Sequence, residues 1–399
     1  MEEHGWEAAR ERAHQLGLGI AGTSEVLPLD RAAGRILAVD LRTKYPMPHC
    51  ATSAMDGYAV NGTGPWLLLK AHATNPGSGR EPVLGAGEAS AVVTGSLIPG
   101  NTTAILRSEH STLDGGVLSA TRELRHGADI RDAGREASTG ELLAPAGTLL
   151  RAGVIATAAV AGHDELELTS PPVVHLVFTG DEVITAGYPA PGQVRDGFSP
   201  VLPHVITALG GTTGSSVRIG DTLEQTIEAI DGEQARASSL IITTGGTGFS
   251  ERDFVRAAVR EVGGVEVISS IAMRPGHPSM LATLPGGRLL VALPGNPLAA
   301  LMAVATLVDP ILRAGCGRPL ATLRSAQSAV EFELLPGRHR LIPARWVPDT
   351  TGTGPDALAP AEHIGSAMLR GLASADAIMV VGPEGAKAGE PINYLRLPW

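Results

Sequence analysis

Cysteine is almost missing from this 399-residue chain. Cys50 and Cys316 are its only two, too few for a disulfide framework or a zinc site, which fits a reducing, cytoplasmic setting. Aromatic residues make up only 3%, so the core must be built from Val, Leu, Ile and Ala. Basic excess is absent too. A net charge of -10 excludes the cationic footprint of a nucleic-acid binder, while leaving room for a local anion pocket. The N-terminus, MEEHGWEAARERAH, has no apolar signal core. The longest apolar run, Leu289 to Leu312, is broken by Pro-Gly-Asn-Pro and contains Asp309, so it reads as a buried strand and helix and not as a membrane span. No GxGxxG or Walker loop occurs and no Ser-His-Asp arrangement stands out, which removes support from hydride transfer and ordinary nucleotide hydrolysis.

What is present is punctuation: 50 glycines and 29 prolines mark many tight turns. They divide the chain into four expected units. Residues 1–45 with 138–170 form an N-terminal helical and linker unit, with helices expected over Trp6–Gly17, Leu29–Leu41 and the alanine-rich end of Glu141–Gly162. Residues 46–137 read as an inserted, mostly β domain, from the runs WLLLKAHA, ASAVVTG, TTAILRSEH and GGVLSATREL. Over 171–316, strand-like and helix-like runs alternate, which predicts a three-layer, doubly wound α/β domain with a parallel sheet and a ligand beyond the strands' carboxyl ends. Residues 317–399 read as a compact C-terminal β domain from SAVEFEL, HRLIPARWV, ALAPAE and DAIMVVGPEG, with Val347–Ala357 as a mobile hairpin tip. The fold class is therefore multidomain α/β.

Chemistry-bearing residues collect at the expected strand ends. Ser239–Phe254 runs strand, Thr-Thr, Gly245-Gly246-Thr247, then Glu251 and Asp253 before a helix, a layout suited to an anion. Asp181, Glu182, Asp221 and Asp253 are acidic groups at strand ends; each can cap a helix, and together they can hold Mg²⁺. Arg274 and His277 flank a Pro-Gly turn and can grip a small tetrahedral anion. Leu293–Pro297 (LPGNP) puts Pro294, Gly295 and Asn296 before a helix whose first N–H groups favour an anion. Asp56-Gly57 reads by itself as a turn.

Taken together, SAMDGYAV (Ser53–Val60), TGDE (Thr179–Glu182), the glycine loop, RPGHP and LPGNP resemble, in this order, the molybdopterin molybdenumtransferases, the MoeA and gephyrin E-domain family. The resemblance covers nearly the whole chain. It implies a homodimer of four-domain subunits with a C-terminal β-barrel-like domain. The implied reaction inserts molybdenum from molybdate into adenylyl-molybdopterin, releases AMP and uses a divalent cation, Mg²⁺. It further implies a cleft between the α/β domain of one subunit and the inserted and C-terminal domains of its partner, and contact with other cofactor-biosynthesis proteins.

By motif, Asp56, Thr94, Glu182, Asp221 and Asp253 fall where that family keeps functional residues. Glu136 stands where it has an aspartate, and Gly365-Ser366 matches its GS motif. The sequence also departs from the family. Arg274 and His277 replace two lysines, and Pro343 replaces an arginine, leaving Arg340 or Arg345 as substitutes. Asp196-Gly197-Phe198-Ser199-Pro200 replaces a DSNRP-like run. The TTGGTG loop is closer to the molybdopterin adenylyltransferases, so a divergent adenylyltransferase, or a catalytically weakened pterin-binding scaffold, stands as the alternative.

Overall fold

Three apolar runs form the centre of the molecule. The computed structural model describes residues 3–69, 83–247, 254–348 and 356–399. In it Val173–Thr179, Leu240–Thr244 and Leu289–Leu293 are adjacent parallel strands. Alternate residues face opposite ways, as a pleat of period two requires. Leu176, Phe178, Ile242, Val291 and Leu293 pack in one cluster with helix Leu202–Leu209 and the helical run Pro297–Gly315. Val177, Ile241, Leu290 and Ala292 pack in a second with helices Leu223–Asp231 and Phe254–Glu261. This is the three-layer arrangement that the strand–helix alternation predicts. Thr212–Ile219 is a further parallel strand at one edge. At the other edge Met280–Thr283 and Val265–Ile268 add two antiparallel strands, so the six-stranded sheet is mixed.

The run Pro297–Gly315 is long and apolar enough to cross a membrane, but 94% of its apolar window is buried inside the fold. Pro310 would break a regular α-helix there; the backbone instead widens into a π turn over Val304–Val308 just before it. The N-terminal helix Trp6–Gly17 packs on this run, and Trp6 Nε1 donates to Thr306 Oγ1 at 3.0 Å.

The helix expected over Leu29–Leu41 does not form. Only a short 3-10 turn, Leu29–Arg31, and a two-residue strand, Leu41–Arg42, appear. Gly34 sits at φ 77° and interrupts any helix. The segment's amides go elsewhere: Leu37 N–H donates to the Thr148 carbonyl and Ala38 N–H to the Glu167 carbonyl, both at 3.0 Å. Helical periodicity here comes from a strap packed against Leu142–Ala144 and Glu165–Thr169.

Gly57–Val60 lies inside the six-stranded sheet of the inserted region, between Ala104–Arg107 and Glu88–Val92. In the C-terminal region His339–Val347, Ala357–Pro360, Arg324–Ser328, Pro391–Arg396 and Ala377–Val381 pair in a closed circuit, which gives a barrel without free edges. The expected strand SAVEFEL is displaced: the strand ends at Ser328, and Phe332 makes only an isolated bridge to Ala386. Most of the Val347–Ala357 tip lies outside the described residues.

Candidate functional site

The parallel strands deliver their polar residues to one carboxyl edge, and a cavity of about 720 Å³ opens there. That is the scale of a small-molecule site. Gly180, Glu182, Asp221, Gly245, Gly246, Thr247, Gly295 and Asn296 all line it, so four separated motifs meet in one place. Pro294 directly precedes this group in the chain.

The glycine loop is shaped by contacts that exclude a side chain. Gly245 and Gly246 have φ of 87° and 67°. A Cβ on Gly245 would come within 2.7 Å of Thr179 Oγ1, and one on Gly246 within 2.6 Å of Val255 Cγ2. The loop does not offer all its amides to a ligand, because Gly245 N–H donates to the Leu293 carbonyl at 2.8 Å. Asp253 and Glu251 lie outside the described residues.

Acidic groups cluster beside the loop. Asp181 N–H approaches Asp221 Oδ2 at 3.5 Å, which ties the TGDE turn to the end of the neighbouring strand. Helix Leu223–Asp231 is capped by Thr222, whose side chain accepts from Gln225 N–H at 3.3 Å, so Asp221 is not its cap. Among the described residues no three His, Cys, Asp or Glu side chains gather closely enough to cage a metal ion on their own. Two lining carboxylates, Glu182 and Asp221, do suit Mg²⁺ in its commoner mode, in which substrate phosphates and water complete the shell.

A further wall joins the Asp196–Pro200 run to Arg218, a residue not singled out from the sequence. Asp196 Oδ1 accepts from the N–H groups of Phe198 (2.8 Å) and Ser199 (3.0 Å), while Oδ2 takes the Ser199 hydroxyl and the Arg218 guanidinium. Burial raises the affinity of the Asp196 carboxyl for a proton, but these hydrogen bonds and the Arg218 charge outweigh it and hold its pKa below the ordinary carboxylate value. Arg218 also sits 5.5 Å from the Phe178 ring centroid. Nothing in the SSVRIGD segment marks Arg218 beforehand except its place near a strand's carboxyl end.

Ala367 of the C-terminal region reaches the same cavity, and its neighbour Ser366 contacts the helix start beside it. The Ser366 carbonyl accepts from Leu298 N–H (3.0 Å) and Ala299 N–H (3.3 Å). Pro297 has no N–H, so the helix start expected to face an anion is already capped. Ala367 lines the cavity. The C-terminal region therefore meets the α/β domain of its own chain at this cavity.

Other candidates lie apart from this cavity. Arg274 ends an exposed strand tip and is paired in register with Arg340 on the adjoining parallel strand. His277 Nδ1 lies 3.0 Å from the Ile271 carbonyl and 3.1 Å from Glu3 Oε1, so that nitrogen is engaged away from the cleft. Arg340 donates to the Glu333 carbonyl, and Arg345 lines a separate groove of about 550 Å³ with His363 and Arg370. In the inserted region Asp56 Oδ1 accepts from Thr94 N–H (2.7 Å) and Thr94 Oγ1 (3.0 Å), which holds the Asp56 pKa below the ordinary value. Glu136 is fixed by its backbone, with its N–H donating to the Met47 carbonyl at 2.8 Å.

Three family models match in chain order. They are the MoeA N-terminal region (domain I and II) over residues 5–162, the probable molybdopterin binding domain over 175–314, and the MoeA C-terminal region (domain IV) over 325–397. A molybdopterin molybdenumtransferase of Synechococcus elongatus is 30% identical across 73% of this chain and 75% of its own length. Molybdopterin molybdenumtransferase 2 of Mycobacterium tuberculosis gives the same identity and coverage. A crystal structure of a molybdopterin biosynthesis MoeA protein from Pyrococcus horikoshii superposes with a TM-score of 0.77 at 22% identity, covering 99% of both chains, which shows the shared fold.

Proposed function

The chain belongs to the molybdopterin molybdenumtransferase (MoeA) family, and from that premise we propose that it transfers molybdenum from molybdate to adenylyl-molybdopterin and releases AMP. Its role in molybdenum cofactor biosynthesis is that of its relatives. The observation that carries the reading is the single cavity joining the TGDE turn, Asp221, the glycine loop and the PGNP turn. The presence of both MoeA-specific end regions, beyond the pterin-binding domain, favours this reading over an adenylyltransferase.

In this scheme the glycine loop lets the pterin nucleotide approach bare backbone at Gly246 and Thr247. Glu182 and Asp221 are the residues that would hold Mg²⁺ together with the substrate's phosphates, where the ion would supply neutralisation of phosphate charge. Asp253, next to the glycine loop in sequence, adds a third carboxylate. Asp56, fixed by Thr94, and Glu136 lie in or beside the inserted region and act on the cleft of a second copy in a homodimer. Arg274 and Arg340, side by side on adjoining strand ends outside that cavity, serve molybdate, a dianion. Location in the cytoplasm accords with two unpaired cysteines, Cys50 and Cys316.

The test is direct. Purified protein with adenylyl-molybdopterin and Mg²⁺ should release AMP when molybdate is added. Molybdate-independent release, or synthesis of adenylyl-molybdopterin from molybdopterin and ATP, would refute the assignment.

A further inference from the structure

We propose that Arg218 is the substrate-positioning cation of the cleft, gripping a phosphate of the bound nucleotide; this rests on the function proposed above. A phosphate entering the cavity meets the carboxylates Glu182 and Asp221, so it needs fixed positive charge nearby. Arg274 and His277, the cations expected from sequence, do not line that cavity. Arg218 does.

Its head is held before any ligand arrives. The Asp196 carboxylate, with a side chain only 4% exposed, binds one guanidinium nitrogen, and Phe178 packs against the group. Asp196 is in turn fixed by two backbone amides and the Ser199 hydroxyl. A guanidinium carries five N–H donors, so one carboxylate oxygen leaves several for a ligand. The arginine itself remains 30% exposed. A planar fork of donors on a clamped side chain suits two phosphate oxygens at once, with little rotamer entropy left to lose. Arg195, the other basic lining residue, is exposed on a two-residue strand. It has no ion-pair partner among the described residues.

The alternative is that Arg218 only neutralises Asp196 and props the Asp196–Ser199 turn. Calorimetric titration of the full-length protein separates the two, with AMP as the probe and adenosine as its phosphate-free control. Arg218→Gln should weaken AMP binding about tenfold to a hundredfold and leave adenosine binding unchanged. Asp196→Asn loosens this clamp but also removes an anion beside the phosphate, so it should weaken AMP binding less than Arg218→Gln does. The double variant should regain thermal stability lost on unpairing Asp196 without regaining AMP affinity. Unchanged AMP binding in Arg218→Gln, or an equal loss for AMP and adenosine, would overturn the assignment alone. No AMP binding by the unsubstituted protein would overturn it together with the proposed function.

Discussion

Gly245→Ala probes the loop at the heart of the site. The backbone there has φ of 87°, which costs a residue with a Cβ about 1–2 kcal/mol. The new methyl would lie 2.7 Å from Thr179 Oγ1, whose hydroxyl donates to the Thr244 carbonyl at 2.5 Å. Pushing that hydroxyl aside forfeits about 1 kcal/mol more. The sum, roughly 2–3 kcal/mol, lowers the melting temperature by about 5–10 °C for a unit of this size. Because the loop lines the cavity, KM for the pterin nucleotide should rise as well.

A double-mutant cycle tests the cause. Thr179→Ala alone loses the same hydrogen bond, but it also removes the atom that the methyl strikes. The double variant should therefore be about 1 kcal/mol more stable than the sum of the single effects. Differential scanning calorimetry on the four proteins gives the answer. Strict additivity, or an unshifted melting temperature in Gly245→Ala, would refute the steric account.

Three further outcomes follow from particular residues. Asp56→Ala should abolish molybdate-dependent AMP release while the melting temperature stays put, since the carboxylate is solvent-facing and, among the described residues, engages Thr94 alone; near-normal turnover would remove Asp56 from the chemistry. Arg274→Ala should raise the molybdate concentration for half-maximal activity, and an unchanged molybdate dependence would take it out of the anion site. His175 is 2% exposed, and burial lowers its pKa from 6.5. The unfolded chain thus binds a proton that the folded chain resists, so stability is full above pH 6.5 and falls as pH drops toward the lowered folded value. Urea midpoints between pH 7 and 5 should show that fall, and His175→Asn should flatten it; an equal slope in the variant would assign the acid sensitivity elsewhere.

The α/β domain was legible because its strands are buried on both faces and read as continuous apolar runs, such as Leu289–Leu293. Trp6–Gly17 was equally plain from its helical spacing. Leu29–Leu41 misled for a physical reason: its apolar spacing mimics a helix, while Gly34 and long-range amide pairing decide otherwise. Short antiparallel edges such as Met280–Thr283 were hidden behind a Pro-Gly turn.

At the site, acidic and glycine motifs announced themselves because few residue types can serve those strand ends. The Asp196–Arg218 pair did not, since it joins segments 22 positions apart and only the folded sheet brings them together. The PGNP turn shows the opposite error. It was visible as a helix start, but the Ser366 carbonyl that caps its amides comes from another region of the chain.

The central claim is tested most directly by measuring AMP and incorporated molybdenum in one reaction of purified protein, adenylyl-molybdopterin, molybdate and Mg²⁺. The account predicts that the two appear together, in equal amounts, and that both vanish without molybdate. AMP released without molybdenum incorporation, or no AMP at all, would contradict it.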